Sequence, residues 1–256
     1  MENNESLLIL DGLRKSFGGL QAVAEITFNV KPGQFKGVIG PNGAGKTTLF
    51  NLVSGYYKLD EGKIIFDNNE ITHLSPDRIV NLGIGRTFQE IRIMENVKVI
   101  DIVKTAFFRS VDYGIFDILF NTTKYKNNEK RIEERAMDLL DFFGILNLKD
   151  IKIDNLSYGQ QRRVSICRAL ALRPKILLLD EPTAGLNIGE TDEIVKLILK
   201  IKKQYNLSIV MIEHDMKVIM DICDEIVAIN EGRSIAEGSP SEIQENQLVI
   251  KSYLGE

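Results

Sequence analysis

The sequence predicts an α/β fold in which parallel strands alternate with crossover helices, preceded by an antiparallel β part and interrupted by a helical stretch. Three observations lead there. Gly40-Pro41-Asn42-Gly43-Ala44-Gly45-Lys46-Thr47 matches G-x-x-x-x-G-K-[ST] between a short apolar run and an unbroken helical pattern. The second half alternates helical and strand-like segments from Tyr158 to Ile229. Between them, from about Ile91 to Leu148, the apolar spacing is mostly that of helices.

Taken in order, Leu7-Leu8-Ile9-Leu10 and Ile26-Thr27-Phe28-Asn29-Val30 read as strands of an antiparallel start, and Lys31-Pro32-Gly33-Gln34 as the turn that follows. Phe17 lies between them in a glycine-containing loop, either as a core aromatic or as a platform for a nucleotide base. Phe35-Lys36-Gly37-Val38-Ile39 is a short buried strand that leads into the glycine-rich loop. Gly40, Gly43 and Gly45 leave backbone N–H groups unobstructed around a phosphate, and the helix that opens at Lys46 aims its positive dipole end at the same anion. Lys46 would reach the β/γ oxygens of a triphosphate and Thr47 would offer its hydroxyl to Mg²⁺.

Lys63 to Asp67 is a further strand, and Ser75-Pro76-Asp77 announces a helix with Ser75 as N-cap and Pro76 at its first position. His73, just before it, reads as a solvated residue. Beyond Gly83-Ile84-Gly85-Arg86-Thr87-Phe88-Gln89, the stretch Glu129 to Gly144 carries Ile132, Ala136, Leu139, Leu140 and Phe143 on one helical face. The aromatic-rich stretch Ala106 to Phe120 reads either as packing within a helical subdomain or as a contact surface for a membrane partner. Then come a helix from about Tyr158 to Leu172, a strand Lys175 to Asp180, a helix Gly189 to Tyr205, a strand Ser208 to Ile212, a helix Met216 to Cys223 and a strand Ile226 to Ile229. The continuously apolar strands predict burial on both faces, with Asp180 and His214 at or just beyond strand C-terminal ends, where ligands bind in open α/β sheets.

Composition narrows the function classes. The 256 residues are 44% hydrophobic, enough for a large core, and 32 Lys+Arg against 36 Asp+Glu leave a formal charge of −4, which disfavours a nucleic-acid partner. The polar, acidic start and the lack of any apolar run near the roughly 20 residues of a spanning helix predict neither a signal peptide nor a membrane span. Cys167 and Cys223 fall in apolar helical patterns and read as core residues. Asp180-Glu181 closes an apolar strand: the first carboxylate suits a metal, and the second can polarise an attacking water.

Leu156-Ser157-Tyr158-Gly159-Gln160-Gln161 completes a set. With Gly40 to Thr47, Gln89, Asp180-Glu181 and His214 in this order, the chain resembles the ATP-binding cassette (ABC) ATPases over essentially its whole length. The resemblance implies a P-loop NTPase core of residues 1–88 and 158–240, a helical subdomain of about 89–157 and a tail of 241–256. It implies ATP held by Phe17, Gly40, Pro41, Asn42, Gly43, Ala44, Gly45, Lys46, Thr47 and Thr48, with Phe17 stacked on adenine. Mg²⁺ would lie at Thr47, Gln89 and Asp180. Glu181, Gln89 and His214 would be catalytic, His214 as the switch histidine on the γ-phosphate. Ser157, Tyr158, Gly159 and Gln160 would form the signature that meets ATP bound by another subunit. Tyr158 stands where many members have Gly, and Asn187 where Asp is frequent.

Phe17-Gly18-Gly19-Leu20, Gly83 to Gln89, Ala184-Gly185-Leu186-Asn187 and the tail Ile250 to Glu256 are similar to the ATP-binding subunit of branched-chain amino acid importers, with relatives that serve urea or lipopolysaccharide export. That likeness implies a place on the cytoplasmic face of the membrane, a second ATPase subunit, two transmembrane permeases and an external solute-binding protein. The rival is a soluble ABC ATPase of the cluster-assembly type.

Overall fold

The structure, a computed structural model, describes residues 6–87, 96–108 and 111–254. Its antiparallel part is longer than the apolar patterns mark. β1 (Leu8–Phe17) and β2 (Leu20–Val30) form one hairpin across Gly18-Gly19, running from the pair Leu8↔Val30 to Phe17↔Leu20. Register shifts between Leu10 and Ser16 break the two-residue alternation, so the strand continues where its sequence pattern stops. Phe17 is therefore the last residue of β1 rather than part of a loop. β3 (Phe35–Ile39) leads through the glycine-rich loop into α1 (Lys46–Val53), and β4 (Glu61–Phe66) and β5 (Asn69–Glu70) extend the hairpin beyond β1.

The next elements are α2 (Pro76–Leu82), β6 (Ile84–Arg86), α3 (Val99–Phe107), α4 (Ile115–Leu119) and α5 (Thr123–Phe142). They are followed by α6 (Tyr158–Ala171), β7 (Ile176–Asp180), α7 (Ile188–Tyr205), β8 (Ser208–Ile212), α8 (Met216–Ile222), β9 (Glu225–Asn230), β10 (Arg233–Gly238), α9 (Pro240–Glu245) and α10 (Gln247–Leu254). Among the described residues one sheet forms in the order β5-β4-β1-β2-β10-β9-β3-β8-β7-β6. β9, β3, β8, β7 and β6 are mutually parallel, as the alternation predicts. β10 joins the two parts, pairing antiparallel with β9 and touching β2 through Arg233↔Glu25. The expectations omit β6 and β10: the first is only three residues long, and the second is polar and half-buried rather than apolar.

The continuously apolar strands separate two cores. Leu177 and Leu179 face one core with α3, α5, α6 and α7, whereas Ile176 and Leu178 face the other with α1 and the antiparallel strands. Alternate residues of one strand are thereby buried on opposite faces, the arrangement that removes polar residues from parallel strands. Lys36, like Asp180 and Ser208 at the strand ends, departs from this pattern. It is fully buried in β3, paired with Glu225 and Glu237.

α5 buries Ile132, Ala136, Leu139 and Leu140 as its spacing requires, starting earlier than Glu129 because Thr122 caps it. Ser75 stands at the predicted N-cap of α2, but its hydroxyl bonds the Asp77 carboxylate, holding that group below the usual range, rather than a helix N–H. The aromatic stretch divides: Phe107 is buried and Tyr113 donates to Glu129 (2.7 Å), whereas Phe116 and Phe120 are exposed. Cys167 and Cys223 are buried thiols, both pushed upward in pKa by burial, Cys223 to about 12. No helix among the described residues is long and apolar enough to cross a membrane.

Candidate functional site

The C-terminal ends of β3, β6, β7 and β8 lie side by side, with Val38↔Ile212, Arg86↔Leu178 and Asp180↔Ile212 in register. Whatever follows these strands shares one edge of the sheet. After β3 the chain enters the glycine-rich loop. A Cβ at Gly40 (φ 154°) would meet the Ile229 carbonyl at 2.1 Å, and one at Gly45 (φ 99°) the Ala22 carbonyl at 2.4 Å. These two glycines are thus required by backbone packing behind the loop. Gly43 (φ 81°) faces open space, so it alone of the three keeps the outer side of the loop clear.

Lys46, buried, spans the loop and donates to the carbonyls of Gly40 (2.7 Å) and Pro41 (3.0 Å). Burial lowers its pKa, while the nearby Glu181 and Asp180 carboxylates hold it up. Ala44 is buried and Pro41 and Thr48 half-buried, whereas Asn42 and Thr47 are exposed on the loop and on the first turn of α1. No side chain caps that helix, leaving its first turn to an external acceptor.

At the end of β7, Asp180 is buried, and its Oδ2 accepts from Arg86 (3.0 Å). Arg86 also donates to Asn51 Oδ1 and Ser54 Oγ, each at 2.8 Å, so one guanidinium ties β6 to both α1 and Asp180. Asp180 Oδ1 has no hydrogen-bond partner among the described residues, and burial raises the carboxyl's pKa against the opposing pull of Arg86. Thr87 Oγ1 accepts from the Asp180 amide (3.2 Å). Glu181 sits in left-handed backbone at φ 48°, a conformation that costs about 1–3 kcal/mol for a non-glycine residue. Its Oε1 lies 2.8 Å from His214 Nε2. That contact joins the ends of β7 and β8.

Phe17 is 41% exposed, edge-on to Tyr57 with ring centroids 5.1 Å apart, and Lys15 Nζ lies 5.3 Å from its ring. Of its two readings from sequence, burial in the core is excluded. Gln89 lies outside the described residues.

Ser157 caps α6, accepting from the Gln160 amide (3.3 Å) while Gln160 Oε1 accepts from the Ser157 amide (3.0 Å). Gly159 packs against Glu190, and Tyr158 is 61% exposed beside Gly185. Ser157, Gly159 and Gln160 border a cavity of about 230 Å³ with Arg163, Glu190 and Glu193. Asn187 caps α7 in the same reciprocal way with Glu190, a role that Asp performs equally well. The strand-end groups therefore come together around Lys46, whereas Ser157, Gly159 and Gln160 border a cavity that those groups do not line.

Arg86, Thr87, Glu213 and Tyr253 also stand at these strand ends or against the loop without a role marked by the motifs. Glu213 is buried and accepts from Thr183 and His214, and the Gly40 backbone faces the Tyr253 phenol, whose pKa burial raises. Arg86 and Thr87 do belong to the run Gly83 to Gln89, so proximity to Gln89 was a usable signal.

The profile of the family described as ABC transporter matches residues 23–184, more than half of the chain. The chain belongs to the ABC transporter family. It is an ATP-binding, ATP-hydrolysing cassette. A second profile, described as branched-chain amino acid ATP-binding cassette transporter, matches residues 233–256. The "High-affinity branched-chain amino acid transport ATP-binding protein BraF" of Pseudomonas aeruginosa is 40% identical over 98% of this chain and 98% of its own length. A nucleotide-free ATP-binding cassette from an ABC transporter superimposes with a TM-score of 0.86 at 30% identity, covering 98% of this chain and all of that one. A dimeric bacterial ABC transporter cassette matches with a TM-score of 0.78 at 25% identity, over 91% of this chain and 98% of that one. The ABC architecture, with its antiparallel part and helical segment, is the α/β fold predicted from the sequence.

Proposed function

We propose that this cassette powers the import of branched-chain amino acids, as the ATPase subunit of an assembly with transmembrane permeases, a second cassette and an external solute-binding protein. The observation that carries this reading is kinship along the whole chain: 40% identity to a branched-chain amino acid transport ATP-binding protein, with the tail matching the profile of that subfamily. Residues 1–88 and 158–240 would bind nucleotide, residues 89–157 would contact the permeases, and the assembly would hold the cassette at the cytoplasmic face of the membrane.

Within the site, the loop Gly40 to Thr48 and Lys46 hold the phosphates, and Phe17 stacks on the adenine. Mg²⁺ fits the oxygen donors present, because Asp180 Oδ1 is buried with no hydrogen-bond partner among the described residues and Thr47 presents an exposed hydroxyl; Gln89, outside the described residues, is the further ligand that the resemblance implies. When bound, the ion would offset charge on the β- and γ-phosphates. Glu181 orients and polarises the attacking water, and His214, 2.8 Å from it, steadies that carboxylate and meets the γ-phosphate. Ser157, Tyr158, Gly159 and Gln160 present the start of α6 to ATP held by another subunit, an arrangement supported by the exposure of Ser157 and Tyr158 and the capping of the helix by Ser157 and Gln160. ATP closes the pair of cassettes, closure moves the permeases, and hydrolysis resets both.

The test is purification of tagged Glu181→Gln chain from detergent-extracted membranes of its own cell with Mg-ATP, followed by mass spectrometry of what accompanies it. Two multi-spanning permeases and a second cassette are the expected company. Recovery of soluble partners alone would overturn the transport reading in favour of a cluster-assembly ATPase, and permeases of another solute class, urea or lipopolysaccharide, would overturn the amino acid assignment.

A further inference from the structure

We propose that Glu213 is a positioning residue for hydrolysis, a buried carboxylate that fixes Glu181 and His214 relative to each other. The inference rests on the reading of Glu181 and His214 as the pair that acts on water and the γ-phosphate.

Glu213 follows β8 directly and is 3% exposed. Its Oε1 accepts from both the amide (2.7 Å) and the hydroxyl (2.6 Å) of Thr183, and its Oε2 accepts from the amide of His214 (3.1 Å). Thr183 lies two residues after Glu181, whose own amide donates to the Ile212 carbonyl at 2.9 Å. The segment that carries Glu181 is therefore tied to the end of β8 twice, once through the backbone and once through the Glu213 side chain. The carboxylate reaches the histidine from its other oxygen. Its neighbour Asp215 is engaged elsewhere, accepting from Lys217 and Val218 at the start of α8.

A buried carboxylate is costly unless its oxygens are satisfied. Here the donors that satisfy it come from the two segments that carry the reacting pair. Glu181 is held in left-handed backbone, which persists only when its surroundings over-determine it, and Glu213 is a principal member of those surroundings. A displacement of about 1 Å in a reacting group is enough to cost about 10²-fold in rate. Removing the carboxylate leaves the Thr183 amide and hydroxyl and the His214 amide without their acceptor, and frees the pair to drift apart.

The test compares Glu213→Ala, Glu213→Gln, His214→Ala, Glu181→Gln and the double variant Glu213→Gln/His214→Ala of the full-length chain. It measures phosphate release per folded molecule, affinity for N-methylanthraniloyl-ATP, and thermal midpoint. Glu213→Ala should lower kcat about 10- to 100-fold, no more than the lower end of the roughly 10²–10⁴-fold that a positioned base contributes, with nucleotide affinity unchanged within about twofold. Glu213→Gln keeps the acceptor for Thr183 but turns an N–H₂ toward the His214 amide, so it should fall between. Because Glu213 acts through the pair, Glu213→Gln should add little to the loss already caused by His214→Ala. Multiplying losses, a loss carried by nucleotide affinity, or unchanged turnover would each overturn the inference, and if Glu213→Ala does not fold, the Gln variant and the double variant decide it. Normal turnover by Glu181→Gln and His214→Ala would instead remove the reading of the pair, and the role of Glu213 with it.

Discussion

The corner around Lys46 and the corner around Ser157 use polar groups in opposite ways. In the first, Lys46 and Asp180 are buried, Arg86 bonds Asp180, Glu181 bonds His214, and Glu213 accepts from the Thr183 and His214 amides, across the ends of β6, β7 and β8. In the second, Ser157 and Tyr158 are exposed, and the hydrogen bonds of Ser157 and Gln160 are used in capping their own helix. On the proposed reading the first corner holds its ligand within one chain. The second is a solvent-facing helix start whose ligand would arrive with another surface, and the difference argues that a complete site requires two cassettes.

The largest effect belongs to the first corner. Glu181→Gln should lower hydrolysis about 10²- to 10⁴-fold while leaving ATP binding intact, and light scattering with Mg-ATP should find it as a closed pair. Normal turnover would break the comparison at once, because the buried corner would then lack its base. Arg86→Ala comes next. It leaves Asp180 buried without its ion partner, which should destabilise the chain by about 3–5 kcal/mol, read as a lower urea midpoint; a loss below 1 kcal/mol would mean that water reaches Asp180.

Phe17 tests where the first corner ends. It is part-exposed at the tip of β1, so Phe17→Ala should leave the fold intact and weaken ATP about tenfold, at the scale of about 1–3 kcal/mol for stacking on a base. Inorganic tripolyphosphate, which has no base, should bind both forms alike. Equal losses for the two ligands would place Phe17 among the supports of the loop.

The glycine-rich loop, the strand-end acids and the capped start of α6 were legible in the sequence because each depends on contiguous residues whose types are constrained by one local task. Gly40 and Gly45 show the limit: the pattern identifies them, but the reason, carbonyls of Ile229 and Ala22 packed behind the loop, is tertiary. β10 was hidden because Arg233 to Gly238 forms a half-buried strand that carries no apolar run. Glu213 was hidden more deeply. A lone acid beside a histidine has no spacing signature, and its partner Thr183 is 30 residues away in sequence. The aromatic segment left two readings open, since sequence composition does not distinguish buried Phe107 from exposed Phe116.

The smallest expected effect tests the second corner. Ser157→Ala removes the hydroxyl that accepts from Gln160, so the isolated chain should lose about 1 kcal/mol of stability, the usual value of an N-cap. Its affinity for ATP as a single chain should not change if nucleotide is held in that chain by the loop and strand-end residues around Lys46. Hydrolysis at concentrations that permit pairing should fall, and Ser157→Thr, which keeps a capping hydroxyl, should restore the stability. If Ser157→Ala weakened ATP binding by the single chain, the two corners would belong to one site, and the argument that a second cassette completes it would fail.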